Sequence, residues 1–176
     1  MSGRKAVFLD RDGVLDVDSG YMYRPEQLQW IPGAREAVAL MHKLGYAVFV
    51  VTNQSGIARG LFTQNDMENF HAHMQKELRA AGGWIDQFYF CPHHPTQGVI
   101  PALTIACSCR KPKPGMILQA FAQHNLDKEK SFLIGDRDSD VQAAAGAGIA
   151  GYLFPGGNLL DFVKNVLKER GEQVEL

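Results

Sequence analysis

The chain has 176 residues, 45% of them hydrophobic and 21% charged, with 18 Lys and Arg against 19 Asp and Glu for a formal net charge of -1. That length suits one unit, residues 1–176, with a sizeable core, and the charge balance leaves no electrostatic footprint for nucleic acid or an anionic membrane. No apolar run is long enough to span a membrane, no signal peptide precedes Ala6, and three cysteines clustered in one short region argue against a disulfide framework and for a reducing, cytoplasmic location.

In chain order, the apolar run 5–9 reads as a buried strand that stops abruptly at Asp10, Arg11, Asp12 and Gly13. Ala34, Val38 and Met41 with Leu44 carry helical spacing, and residues 47–52 read as a second buried strand ending in Thr52, Asn53, Gln54, Ser55 and Gly56. Met67, Phe70, Met74 and Leu78 mark the core stripe of the next helix, with Thr63 and Asp66 placed like a capping box. Strands are expected at 87–90, 132–134 and 151–153, and helices at 116–124, 141–147 and 159–168, with a turn at Gly156 and Gly157. His42, His71, His73 and His124 fall in the helical stretches and read as surface or cap residues without a role. Strands alternating with helices imply an α/β fold, a doubly wound, mostly parallel, Rossmann-like sheet.

In such a sheet the carboxyl ends of the strands share one edge, where ligands bind. The first strand delivers Asp10 and Asp12 there, the second Thr52 with its polar successors, and the fourth Gly135 and Asp136 followed by Arg137, Asp138, Ser139 and Asp140. Converging carboxylates suit a hard cation such as Mg2+. Hydroxyl, amide and backbone N–H groups after the second strand suit phosphate oxygens. Asp138 and Asp140 are also well placed simply as first-turn acids of a helix, so Asp136 carries more weight as a ligand. If Asp10, Asp12, Asp136 and Asp140 are all ionised, Lys111, Arg110 and Arg137 cannot balance them together with a dianionic phosphate; a divalent cation is required.

One segment breaks the strand–helix alternation. Residues 91–114 hold five prolines, all three cysteines and two adjacent histidines. Cys91, Cys107 and Cys109 with one imidazole, His93 or His94, make a complete tetrahedral set for a structural Zn2+. Such a metal would order a loop poor in apolar residues and fix Arg110 and Lys111, which follow it directly.

Asp10-x-Asp12 after a strand, Thr52 after the next, the lysine of Arg110-Lys111-Pro112, and Gly135-Asp136-x-x-x-Asp140 together resemble the four motifs of the haloacid dehalogenase superfamily. The likeness covers nearly the whole chain in the family's motif order. It implies a Mg2+-dependent phosphatase working through an aspartyl-phosphate. Asp10 would be the nucleophile, Asp12 the general acid and base, Thr52 and Lys111 phosphoryl-binding groups, and Asp10, Asp12 and Asp136 the Mg2+ site. Lys111 matches the family's Arg-Lys-Pro pattern, whereas Lys113 does not. Only residues 13–25 follow the first motif before the next helical pattern, too few for a cap domain, so loops must close over a small substrate.

Within the superfamily the chain is similar to the heptose-1,7-bisphosphate phosphatase family through Gly20-Tyr21, the run 52–60, Cys91-Pro92-His93-His94-Pro95 and Cys107-x-Cys109-Arg110-Lys111-Pro112. That resemblance implies a small phosphorylated sugar as substrate. It places substrate contacts at Asp18, Ser19, Gly20, Tyr21, Asn53, Gln54, Ser55, Arg110 and Arg137, and selects His93 as the fourth Zn2+ ligand. Arg137 stands where the family often has lysine: the charge is kept and the geometry changed. Histidinol-phosphate phosphatase is the rival reading, although its zinc loop is typically shorter than residues 94–106 here. No heptad or repeat suggests assembly, so a monomer is the default.

Overall fold

The computed structural model describes residues 3–174. Its five strands, β1 (Ala6–Leu9), β2 (Ala47–Asn53), β3 (Gln87–Cys91), β4 (Phe132–Gly135) and β5 (Ala150–Leu153), form one parallel sheet in the order β3-β2-β1-β4-β5. Five α-helices connect or follow them: α1 (Ala34–Lys43), α2 (Gln64–Ala80), α3 (Gly115–Gln123), α4 (Asp138–Ala147) and α5 (Leu159–Glu169). No helix among the described residues is long and apolar enough to cross a membrane, and no cap domain is present among them.

Strand side chains alternate between the two faces of a sheet, and the core divides accordingly. Val7, Leu9, Val48, Val50, Phe132 and Ile134 pack with the apolar stripes of α1, α2 and α5. Ala6, Phe8, Ala47, Phe49, Val51 and Leu133 face α3 and α4. Both faces are covered, which is why β1, β2 and β4 read as unbroken apolar runs rather than as an alternation. The capping box is present: Thr63 Oγ1 accepts from Asp66 N at 3.0 Å, and Asp66 Oδ2 accepts from Thr63 N at 2.9 Å.

Several boundaries differ from those read off the sequence. β2 reaches Asn53 and β3 reaches Cys91, because these two residues are register partners that prolong the parallel ladder past its apolar part. α4 starts at Asp138 rather than at Val141, its polar first turn being stabilised where Asp140 Oδ2 accepts from Arg137 N at 3.1 Å. The segment after Cys91 has one 3-10 turn, Pro101–Leu103, and is otherwise irregular up to α3.

From β1 the chain winds outward through β2 to β3, then returns to the other side of β1 for β4 and β5. The switch point therefore lies between β1 and β4, where a doubly wound sheet opens a crevice at its carboxyl edge. Asp10 and Asp136 are the first residues past those two strands.

Candidate active site and candidate zinc centre

Asp10 follows β1 directly, and its N–H still donates to Ile134 O of β4 at 3.1 Å, so the sheet itself fixes its backbone. Its carboxylate is 3.0 Å from Lys111 Nζ, which also donates to Val51 O at 2.8 Å and lies 2.6 Å from Asp140 Oδ1. Ligand atoms of Asp10, Asp136 and Asp140 lie within 4.8 Å of one another. Burial pushes Asp10 up to about 8; Lys111 pulls it down, and Asp140 adds to the rise. Burial also raises Asp136. Burial works against the charge on Lys111, yet Asp10 and Asp140 outweigh it and raise that amine.

Buried carboxylates crowded in this way are a site that a bound cation would keep ionised. Asp136 Oδ1 is buried with no hydrogen-bond partner among the described residues. Oxygen-only ligands with an orphaned buried acceptor fit Mg2+. Gly13 is needed beside them: with φ at +90°, its α-carbon packs so close to the Asp136 carboxylate that a β-carbon would collide with it. The cluster contains Asp140, which the sequence ranked below Asp136, and omits the Asp12 side chain, which was expected as a ligand. The Asp12 carboxylate is instead gripped by Arg11, from Nε at 2.9 Å and Nη2 at 3.1 Å, and by Gln54 Nε2 at 3.3 Å. Gln54 also donates to Thr52 Oγ1 at 2.8 Å. That leaves the Thr52 hydroxyl proton free for an anion.

Around these groups opens a cavity of about 730 Å³. Asp10, Asp12, Asp18, Gly20, Tyr21 and Thr52 form part of its wall; the remainder includes Asn53, Gln54, Ser55, Arg110, Lys111 and Arg137. Ser19 shares the loop of Asp18 and Gly20 but is not part of that wall. Arg137 and Asp18 pair across the mouth at 3.3 Å. Lys113 turns away and donates to Cys107 O at 2.6 Å, so Lys111 is the lysine that reaches the acids. Arg59, Gly56, Pro112 and Ser139 also line the cavity and were given no site role from the sequence; Gly56 and Arg59 were visible only as members of the run 52–60, and Pro112 only as the end of Arg110-Lys111-Pro112.

Cys91, His93, Cys107 and Cys109 bring one donor atom each within 4.8 Å of one another. His93 Nδ1 is 3.4 Å from Cys91 Sγ and 3.3 Å from Cys109 Sγ; Cys91 and Cys107 sulfurs are 3.5 Å apart. All three cysteines are free, and the set is compatible with a structural Zn2+. His94 Nδ1 accepts instead from Thr96 N and Gln97 N of its own turn. Arg110 leaves the cluster directly, with Nη1 3.5 Å from His93 O.

The surface reading fails for two of the histidines: the His42 side chain is 5% exposed and stacks on Trp84 with ring centroids 3.8 Å apart. His71 is not a surface residue: it is 5% exposed, stacks on Phe88 with ring centroids 4.1 Å apart, and has Nε2 3.1 Å from Arg11 Nη1. Its position next to Phe70 on α2 put it within the helix's inward face, which the apolar stripe alone did not reveal.

Comparison with known proteins agrees with this geometry. A HAD-hydrolase-like family model matches residues 108–161. The D-glycero-beta-D-manno-heptose-1,7-bisphosphate 7-phosphatase of Rhodopseudomonas palustris is 46% identical over 166 residues, covering 94% of this chain and 92% of that protein. The enzyme of the same name from Escherichia coli K12 is 42% identical over 144 residues, 82% of this chain and 75% of that protein. The crystal structure of D,D-heptose 1,7-bisphosphate phosphatase from B. bronchiseptica, complexed with magnesium and phosphate, superposes with a TM-score of 0.80 at 32% identity. It covers 94% of this chain and 99% of that one.

Proposed function

The chain belongs to the D-glycero-beta-D-manno-heptose-1,7-bisphosphate 7-phosphatase family of haloacid dehalogenase-like hydrolases, and from that membership we propose that it removes the 7-phosphate of the heptose bisphosphate through an aspartyl-phosphate on Asp10. The observation that carries this reading is the grouping of Asp10, Asp136, Asp140 and Lys111 at the switch point of the sheet, where Asp10, Asp140 and Lys111 line a cavity together with Arg110 and Arg137.

Asp10 Oδ1 accepts from Lys111 Nζ at 3.0 Å and from Arg11 N at 2.8 Å, and Oδ2, which neither of these bonds engages, attacks phosphorus. As the oxygen–phosphorus bond forms, the bond from phosphorus to the sugar oxygen breaks, and Asp12 gives that oxygen a proton. Asp12, now a carboxylate, takes a proton from water; the hydroxide displaces Asp10 from phosphorus and inorganic phosphate leaves. Thr52 donates its free proton to a phosphoryl oxygen, and Lys111 offsets charge there. Asp10, Asp136 and Asp140 would hold Mg2+, which when bound neutralises the carboxylates and the phosphoryl group. Arg110, Arg137, Asp18 and Tyr21 lie toward the mouth, where the rest of the sugar would be held.

The deciding assay is phosphate release from D-glycero-beta-D-manno-heptose 1,7-bisphosphate with and without Mg2+, the position of cleavage read by phosphorus NMR. Loss of the 7-phosphate, dependent on Mg2+ and much faster than release from histidinol phosphate, is the expected result. The reverse preference would make the chain a histidinol-phosphate phosphatase.

A further inference from the structure

Behind Asp12 lies a buried polar cluster that the reaction above leaves unused. Arg11 is 0% exposed, a condition arginine accepts only when its donors are answered. Nε and Nη2 face Asp12, the guanidinium lies over the Phe70 ring at 4.8 Å, and Nη2 also approaches Met22 O at 3.4 Å. Asp16 Oδ2 is 3.9 Å from Nε. Nη1 has one partner among the described residues, His71 Nε2 at 3.1 Å. An arginine only donates, so His71 must present a lone pair there and carry its proton on Nδ1. Burial, reinforced by Arg11, holds His71 well below its ordinary range and so in this neutral form.

His71 is the one polar side chain among the buried residues of α2, whose others are Met67, Phe70, Met74 and Leu78. A hydrophobic side chain would fill the same space against Phe88; what it could not supply is an acceptor for Nη1. The guanidinium is a rigid planar fork. Phe70 restrains its plane from one side, and His71 fixes its rotation within that plane. The opposite edge of the fork then sets where both Asp12 oxygens sit, while Gln54 holds Oδ2 from the cavity side. We propose that His71 is a positioning residue for the acid–base step: by accepting from Arg11 Nη1 it locks the guanidinium that aims Asp12 at the leaving oxygen. The inference rests on the reading of Asp12 as the group that protonates that oxygen.

The test compares two leaving groups in His71→Phe and His71→Gln. The sugar oxygen of the heptose bisphosphate needs a proton to leave; the phenolate of 4-nitrophenyl phosphate does not. In His71→Phe, kcat/KM for the heptose bisphosphate should fall roughly ten- to hundredfold, as expected for a displaced general acid, while that for 4-nitrophenyl phosphate changes little. His71→Gln, which can present an oxygen near the position of Nε2, should restore the sugar-phosphate rate. If His71→Phe does not fold, His71→Asn, polar but too short to meet Nη1, carries the same expectation. Equal losses with both substrates, no loss with either, or no rescue by Gln would overturn the proposal and leave His71 as packing. A wild-type enzyme with no activity on the sugar ester would show the failure of the functional reading instead, before any variant is compared.

Discussion

The acid cluster between β1 and β4 and the cysteine loop after β3 both gather metal-binding side chains, but the chain holds them together by opposite means. Asp10 and Asp136 stand one residue beyond paired strands, and backbone bonds such as Asp10 N to Ile134 O place them with or without a metal. The cysteine loop has a single 3-10 turn and exposes the apolar residues Val99, Ile100 and Ile105; apart from its four ligands it is tied to the chain by the Val99 and Ile100 N–H groups donating to Ala58 O and by Leu103 packed against Ile57, Phe62 and Met67. The first region is ordered by the fold and strained by its own charge. The second lies outside the sheet and gathers its donor atoms along an irregular segment. Lys111 joins them, two residues after Cys109 and within reach of Asp10 and Asp140.

The largest effect should come from the strained region. Asp10→Asn removes the nucleophile, and turnover of the heptose bisphosphate should fall by about 10⁴-fold or more. Because it also removes one buried carboxylate from a crowded cluster, the melting temperature without Mg2+ should not fall. A drop in stability along with activity would mean that the cluster is held by its charges rather than by the sheet. Next comes the link. Lys111→Met should lower kcat by roughly 10²- to 10³-fold by removing a cation from the phosphoryl site. It should also destabilise the fold by about 3–5 kcal/mol, since Asp10 and Asp140 lose their buried partner. Loss of activity without loss of stability would show that Mg2+ alone balances these acids.

The difference between the regions also explains what the sequence discloses. Apolar runs that stop at Asp10, Thr52 and Asp136 are local signals, and a parallel sheet turns them into one edge; the cysteines are legible because their side chains have few other uses in such a cluster. Arg11, His71 and Asp16 were not legible, because each is ordinary in its own neighbourhood. Arg11 sits between two acids that overshadow it, and His71 adjoins a stripe of methionines and phenylalanine. Their partnership exists only once α2 packs on the β1 end of the sheet, across a separation of 60 residues. Asp140 was underweighted for a related reason: its bond to Arg137 N makes it a helix-terminal acid in the expected way, and the same carboxylate meets Lys111 from a distant loop.

The loop offers a smaller effect. Cys107→Ala should release Zn2+, measured as metal content, and expose residues 94–106 to proteolysis. Activity should fall roughly ten- to hundredfold, mainly through KM, because Arg110 is tied to this loop through His93 O whereas Asp10 is tied to the sheet. Full Zn2+ content with unchanged KM would end the distinction between the two regions.

The smallest effect separates two carboxylates within the ordered region. Burial raises Asp10 to about 8 and Asp16 to about 9, the latter with Asp12 adding to the rise and Arg11 opposing it. In the unfolded chain both titrate near about 3.9. Between those values the folded chain holds protons that the unfolded chain has released, so stability must fall as pH rises and be highest on the acid side of this window. Mg2+ binds the ionised form of the Asp10 cluster and should remove that part of the slope. Asp16 lies outside the cluster, with neither carboxylate oxygen hydrogen-bonded among the described residues, so its part should persist. Thermal unfolding from about pH 6 to about pH 9 should therefore show a reduced but non-zero decline in saturating Mg2+. Asp16→Asn, a neutral near-isostere, should flatten the remainder. An unchanged slope in Asp16→Asn would mean that Arg11, 3.9 Å away, keeps Asp16 ionised, and that the guanidinium serves two carboxylates instead of being committed to Asp12.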